Sequence, residues 1–261
     1  MTLPSKKKSL DRLPPEGQLV NRAWLQAHGV ARPLVDSWVR LGKLEAVSHG
    51  LYRRPGLPLK WEQVVYSLNE MGVNVHAGGR SALELQGLAH YVPLQGVTRV
   101  LLYGASQVPT WVQTFPGPYK FSVHRRRLFT TLPGSAVVSQ PFGAWDWPIP
   151  YATLELALLE LLAEVRQATD FDFADKFFEG ATVLRPSLIR ELLLACSNVL
   201  AKRLFLWFAE RHDYAWFKKL DTTGVDLGQG KRLVVKGGAL DRKYQITVPR
   251  AMTHGHEQPV Y

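Results

Sequence analysis

The chain has 261 residues and a single cysteine, Cys196. One thiol excludes an internal disulfide framework and fits a reducing cytoplasm, which is the expected location. No apolar run approaches the roughly 20 residues that a membrane-spanning helix needs. Lys6, Lys7 and Lys8 resemble the basic lead of a signal peptide, but Ser9-Leu10-Asp11-Arg12 stands where its apolar stretch would have to be. Catalytic signals are scarce. Leu227-Gly228-Gln229-Gly230-Lys231-Arg232 has neither the spacing of a phosphate-binding loop nor its Ser or Thr after the lysine. His254 and His256 have no Cys or acid cluster beside them. Asp170, Asp172 and Asp175 alternate with Phe171, Phe173, Phe177 and Phe178 and read as an acidic face over an aromatic core. The expectation is a protein that is not an enzyme and holds neither metal nor cofactor.

Positive charge, in contrast, is in excess. Hydrophobic residues at 46% and charged ones at 21% are those of a folded protein, while a formal charge of +10 points to an anionic partner. The excess is local. Residues 1–60 hold eleven Lys/Arg against four Asp/Glu, residues 61–230 fifteen against sixteen, and residues 231–261 six against two. The first segment therefore carries most of the net charge, and the last carries the rest.

The basic segment has a readable shape. Asn21 is a candidate N-cap for a helix over 22–28, with Gly29 as its stop. A second helix can begin near Pro33, whose missing N–H costs little in a first turn. Leu34, Val35, Trp38 and Leu41 fall on one side of it, and Arg32, Asp36, Ser37 and Arg40 on the other. It opens on Ala31-Arg32-Pro33 without a Ser or Thr cap. Residues 44–47 and 51–54 read as two strands around Ser48-His49-Gly50. Helix, turn, helix, hairpin is the pattern of a winged helix-turn-helix, with the second helix entering a DNA groove and the hairpin beside it. Trp24, Trp38 and Tyr52 are expected in its core.

The expected organisation is a basic arm at 1–15, the winged helix at 16–57 and a larger mixed domain at 58–261, with a candidate sub-boundary near 145–150. Pro55-Gly56-Leu57-Pro58 is the linker. Beyond it, periodicity predicts helices over 59–71, 82–86, 151–167, 186–196 and 199–210, with Ser81 and Glu84 as a capping box for the second. Strands are expected at 99–103, 120–124 and 136–139, and 143–150 reads as an irregular crossing. A terminal hairpin is expected from 233–236 and 244–248 around Gly237-Gly238. The fold class is α+β: an N-terminal winged helix-turn-helix followed by a mixed α/β C-terminal domain.

The wing residues Gly42-Lys43-Leu44, Val47-Ser48-His49-Gly50 and Leu51-Tyr52-Arg53 resemble the AbiEi family, antitoxins of a type IV toxin–antitoxin class. So do Ser81-Ala82-Leu83-Glu84-Leu85-Gln86-Gly87-Leu88, Lys202-Arg203-Leu204-Phe205-Leu206-Trp207, Leu227-Gly228-Gln229-Gly230-Lys231-Arg232 and Lys236-Gly237-Gly238 with Tyr244–Pro249. The wing pattern is common to many winged helices, whereas the ordered C-terminal blocks are specific. The resemblance implies a bifunctional protein. Its N-terminal domain would repress its own operon at promoter repeats in double-stranded DNA. Its C-terminal domain would counteract a co-encoded nucleotidyltransferase-like toxin, without the two having to touch. The oligomeric state is left open, and a monomer binding DNA repeats cooperatively is compatible with it.

The candidate DNA contacts are Arg32, Ser37, Arg40, Lys43, Ser48, His49, Arg53 and Arg54. Arg53 and Arg54 are adjacent on a strand, so only one can easily face DNA. Asp36 either pairs with Arg32 or Arg40 one turn away or accepts from a cytosine amine. Arg125, Arg126 and Arg127, with Lys231, Arg232 and Lys236, are candidates for a second anion surface, an ordinary solvated face being the alternative. Two rival functions are a stand-alone regulator whose C-terminal domain senses a small molecule, and an enzyme targeted by its winged helix.

Overall fold

The computed structural model describes residues 13–88, 98–104, 107–124, 127–142 and 146–253. The architecture is α+β, in two compact units. The first comprises Met1–His76, Gln95–Arg125 and Ser139–Pro150; the second comprises Ala77–Leu94, Arg126–Val138 and Tyr151–Tyr261.

The first unit opens with β1 (Val20–Asn21), α1 (Arg22–Ala27), α2 (Arg32–Arg40), β2 (Glu45–Ser48) and β3 (Leu51–Arg53). The strands form a small sheet in the order β1-β3-β2, both pairings antiparallel. The two-residue strand β1 has no periodicity to announce it; pairing with β3 defines it. Successive strand residues face opposite ways, and here both faces are covered. Val20 and Tyr52 join Leu25, Val30, Val35, Trp38 and Leu44 in the core beneath α1 and α2. Leu19 and Leu51 join Val64, Val65 and Leu68 of α3 (Trp61–Glu70), together with residues of the larger sheet. The Leu19 amide also donates to Ser67 Oγ at 2.8 Å. The chain is therefore not parted at the 57/58 joint, because one strand pair closes two cores. The strands β4 (His76–Ala77), β5 (Thr98–Tyr103), β6 (Tyr119–His124), β7 (Val137–Phe142) and β8 (Trp147–Ala152) form a sheet ordered β6-β5-β4-β8-β7. β5 and β6 run parallel in continuous register from Thr98↔Tyr119 to Tyr103↔His124.

The stretch read as an irregular crossing is strand β8 from Trp147 on, with Asp146 in a turn before it; residues 143–145 lie outside the described residues. Pro148 and Pro150 disguised it. They stand two apart, so their missing donors fall on the same edge of the strand, and Trp147 and Ile149 are buried between them.

The second unit is mainly helical: α4 (Gly79–Leu85), α5 (Leu154–Leu162), α6 (Ala168–Gly180), α7 (Pro186–Ala195), α8 (Val199–His212) and α9 (Ala215–Lys218). α5 is buried from Glu155 to Leu162, a helix apolar nearly all round, and packs against α4, α6, α7 and α8. The expected capping box on α4 is absent. The helix starts earlier, its N-cap is Gly78, Ser81 is buried inside it, and Glu84 pairs with Arg80 instead. The terminal hairpin is shorter than expected: β9 (Ala239–Asp241) pairs with β10 (Ile246–Val248). Its turn is 242–245, where the Tyr244 amide donates to Asp241 Oδ1 at 2.8 Å. Gly238 has another task. It closes a tight turn, its amide donating to the Val235 carbonyl at 3.1 Å, and a Cβ there would stand 2.4 Å from the Val248 carbonyl oxygen, so the glycine permits close backbone approach.

Candidate nucleic-acid interface

The helix-turn-helix is built by local signals. Asn21 accepts a hydrogen bond from the Trp24 amide at 2.8 Å and starts α1. The turn is pinned by Val30, whose amide donates to the Leu25 carbonyl at 2.9 Å and whose side chain is buried. α2 follows with Ala31 as a cap that makes no side-chain hydrogen bond and Pro33 in the first turn. Gly42, at φ 66°, ends it, with the Lys43 amide returning to the Trp38 carbonyl at 2.8 Å.

Val35 and Trp38 are buried, Leu34 is half-buried, and together they fix the inner side of α2. Arg32, Asp36 and Arg40 are exposed on the other side, and none forms a hydrogen bond or ion pair among the described residues. Asp36 is thus not engaged by Arg32 or Arg40. Ser37 is half-buried at the margin. Leu41, expected on the inner side, is 65% exposed, because the helix has ended and the chain turns away.

On the wing, β2 and β3 pair with a bulge between Ala46 and Ser48. Two of the expected contacts are turned elsewhere. Arg53 forms a cross-strand ion pair with Glu45 and donates to the Leu57 carbonyl at 2.9 Å, so its guanidinium is used to close the wing onto the following segment. The Ser48 hydroxyl, beside the bulge, is enclosed and has no hydrogen-bond partner among the described residues. Lys43, His49 and Arg54 remain exposed.

One cation was missed. Arg22, at the first position of α1, is exposed and donates from Nε to the Tyr52 hydroxyl at 3.1 Å. That bond first, and the charge of Asp36 in smaller part, push its pKa further up. Its partner lies thirty positions away, so no sequence spacing announces the pair. Arg22 and Arg32, with Gln26, Gly29, Val30, Ala31 and Val35, line a groove of about 500 Å³ on the module.

The remaining candidate cations are dispersed in role. Arg125 and Arg126 lie outside the described residues. Arg127, Lys231 and Lys236 are exposed, while Arg232 is half-buried and donates to the Gln229 and Lys231 carbonyls. The acidic residues of α6 are engaged singly. Asp170 accepts from the Arg166 and Gln167 amides, and Asp175 from His212 and Arg211. Phe171, Phe177 and Phe178 are buried behind them. No group of three potential metal ligands, and no helix long and apolar enough to cross a membrane, occurs among the described residues. Burial pushes the Cys196 thiol pKa up, the opposite of what a nucleophile needs.

Known families and a solved structure resemble the chain over most of its length. Residues 4–94 match the family described as "Transcriptional regulator, AbiEi antitoxin N-terminal domain", and residues 97–249 match "Transcriptional regulator, AbiEi antitoxin, Type IV TA system". No curated protein sequence matches the chain. Among solved structures, the RV2827C protein from Mycobacterium tuberculosis is similar in fold: TM-score 0.52 at 13% identity, covering 93% of this chain and 88% of that one.

Proposed function

The chain belongs to the AbiEi antitoxin family, transcriptional regulators of type IV toxin–antitoxin systems, and on that premise we propose that it represses its own operon by placing α2 in the major groove of promoter DNA. Lys43, His49 and Arg54 of the wing region, with Arg22, hold the backbone phosphates. The second unit counteracts a nucleotidyltransferase-like toxin in the cytoplasm, as the family resemblance implies, and needs no stable complex with it to do so.

The observation that carries the DNA reading is a helix with a fully packed inner side and an outer side of unpaired charge. Arg32 and Arg40 make no ion pair among the described residues, and they stand at the two ends of the helix that a winged helix-turn-helix presents to DNA. An arginine kept free of intramolecular partners is available for bidentate contact with guanine or for phosphate.

Replacing Arg32→Ala and Arg40→Ala together should weaken binding to the DNA upstream of the gene by ~100-fold, about one good contact each. Rescue of cells from the toxin should be unchanged. A gel shift that shows wild-type affinity for the double variant would move the recognition surface elsewhere. Lost rescue would show that the two tasks are not divided between the units.

A further inference from the structure

Asp36 is an anomaly for a helix that binds a polyanion. At 3.6 residues per turn, Arg40, Asp36 and Pro33 are the α2 residues most directly opposite the inner side formed by Leu34, Val35 and Trp38, with Arg32 beside them. A carboxylate therefore stands at the middle of the outward side. It is exposed and forms no hydrogen bond or ion pair among the described residues, although its charge acts on Arg22 of α1. Its position weakens binding to any phosphate chain.

We infer that Asp36 is the specificity-determining residue of the interface and reads cytosine. The inference rests on α2 being the helix that enters the groove. In the major groove the cytosine edge presents the N4 amino group, a donor, and no acceptor of its own. Guanine presents two acceptors and thymine O4 another, all of which repel a carboxylate. Adenine offers a donor at N6, but its N7 acceptor lies next to it. A carboxylate thus accepts from cytosine and penalises the other three, which is discrimination by rejection as much as by attraction. Arg32 and Arg40, one turn to either side, are offset by about 6 Å along the helix axis, or roughly two base pairs. They supply the affinity that Asp36 gives up. The expected site therefore has one strongly preferred C·G pair with arginine contacts flanking it.

The test uses the full chain and a pool of randomised duplexes, selected with wild type, Asp36→Ala and Asp36→Asn. Thermal melting of each protein checks that the exposed substitutions leave the fold intact. Wild type should enrich a motif with one nearly invariant cytosine, whose replacement weakens binding by roughly tenfold or more. Asp36→Ala should lose preference at that position alone and bind unrelated DNA more tightly. Asp36→Asn should change the preferred base to adenine, which an amide reads bidentately. If wild type enriches a motif and both variants enrich the same one at every position, the role of Asp36 is overturned while the DNA reading stands. If wild type retains no duplex at all, the DNA reading itself falls.

Discussion

Arg203 shows what a single buried charge can hold. It is 3% exposed and has no carboxylate partner among the described residues. Its guanidinium donates instead to four main-chain carbonyls: Leu227 at 2.7 Å, Gly228 at 3.0 Å, Gly230 at 2.7 Å and Gln245 at 3.1 Å. Burial first, and Arg232 nearby, lower its pKa, yet five fixed donors suit a loop of converging oxygens as no lysine could. The Lys202–Trp207 and Leu227–Arg232 blocks, separate in sequence, are thus two halves of one hydrogen-bonded arrangement. Arg203→Met should leave those carbonyls enclosed and unpaired. A loss of about 3 kcal/mol in urea denaturation is expected, with Arg203→Lys recovering only part of it. Stability within about 0.5 kcal/mol of wild type would mean the loop is held by other means. DNA binding at 25 °C should survive the lysine variant, because Arg203 is no part of the first unit.

At the scale of elements, α5 is a buried apolar helix that nonetheless carries Glu155 and Glu160. Each is matched. Arg185, just before α7, gives Glu155 its main-chain amide and two side-chain bonds, all at 2.9 Å. The Gly79 amide at the start of α4 donates to Glu160 at 2.8 Å, which replaces the cap that Ser81 does not provide. Burial alone would raise the pKa of Glu155; the bonds from Arg185 outweigh it and hold it below its ordinary 4.5. Asp175 is lowered from 3.8 in the same way, against burial, by His212 and Arg211. A folded-state pKa below the unfolded one contributes stability that is complete above the unfolded value and disappears as pH falls through the folded one. The urea midpoint should therefore fall as pH drops from about 5 toward 3. Glu155→Gln should lower the midpoint at pH 7 and flatten that acid limb; an unchanged slope would exclude this carboxylate as a source.

The same elements mark the limit of sequence reading. Asn21, Pro33, the Val35 and Trp38 spacing and the Gly42 stop are local signals, and the helix-turn-helix was legible from them. Strand β8, the start of α4 and the true terminal turn were not. Their determinants are a sheet that accommodates two prolines, a glutamate eighty-one positions away, and a close approach at Gly238. Of the candidate contacts, exposure keeps Arg32, Arg40, Lys43, His49 and Arg54 available, while Glu45 across the hairpin engages Arg53 and Tyr52, thirty positions away, brings in Arg22.

The whole molecule divides its charge unequally, and that division has a thermodynamic signature. Residues 61–230 are nearly neutral, so duplex binding through the first module should release counterions in proportion to the few cations left free there. Arg22, Arg32, Arg40, Lys43 and Arg54 are exposed. With about 0.9 counterion released per phosphate contact, the slope of log K against log salt should be about −4.5. Arg53→Ala should leave the slope unchanged, because its ion pair with Glu45 already takes that charge out of play. Removing Arg32 and Arg40 should bring the slope to about −2.7. Titration of a labelled promoter duplex at several salt concentrations measures all three. A wild-type slope much steeper than about −4.5 that is insensitive to Arg32 and Arg40 would place the phosphate contacts on the arm or on the basic residues of 231–261. In the latter case the second unit would be a DNA-binding surface as well, and repression and antitoxin activity would compete for it.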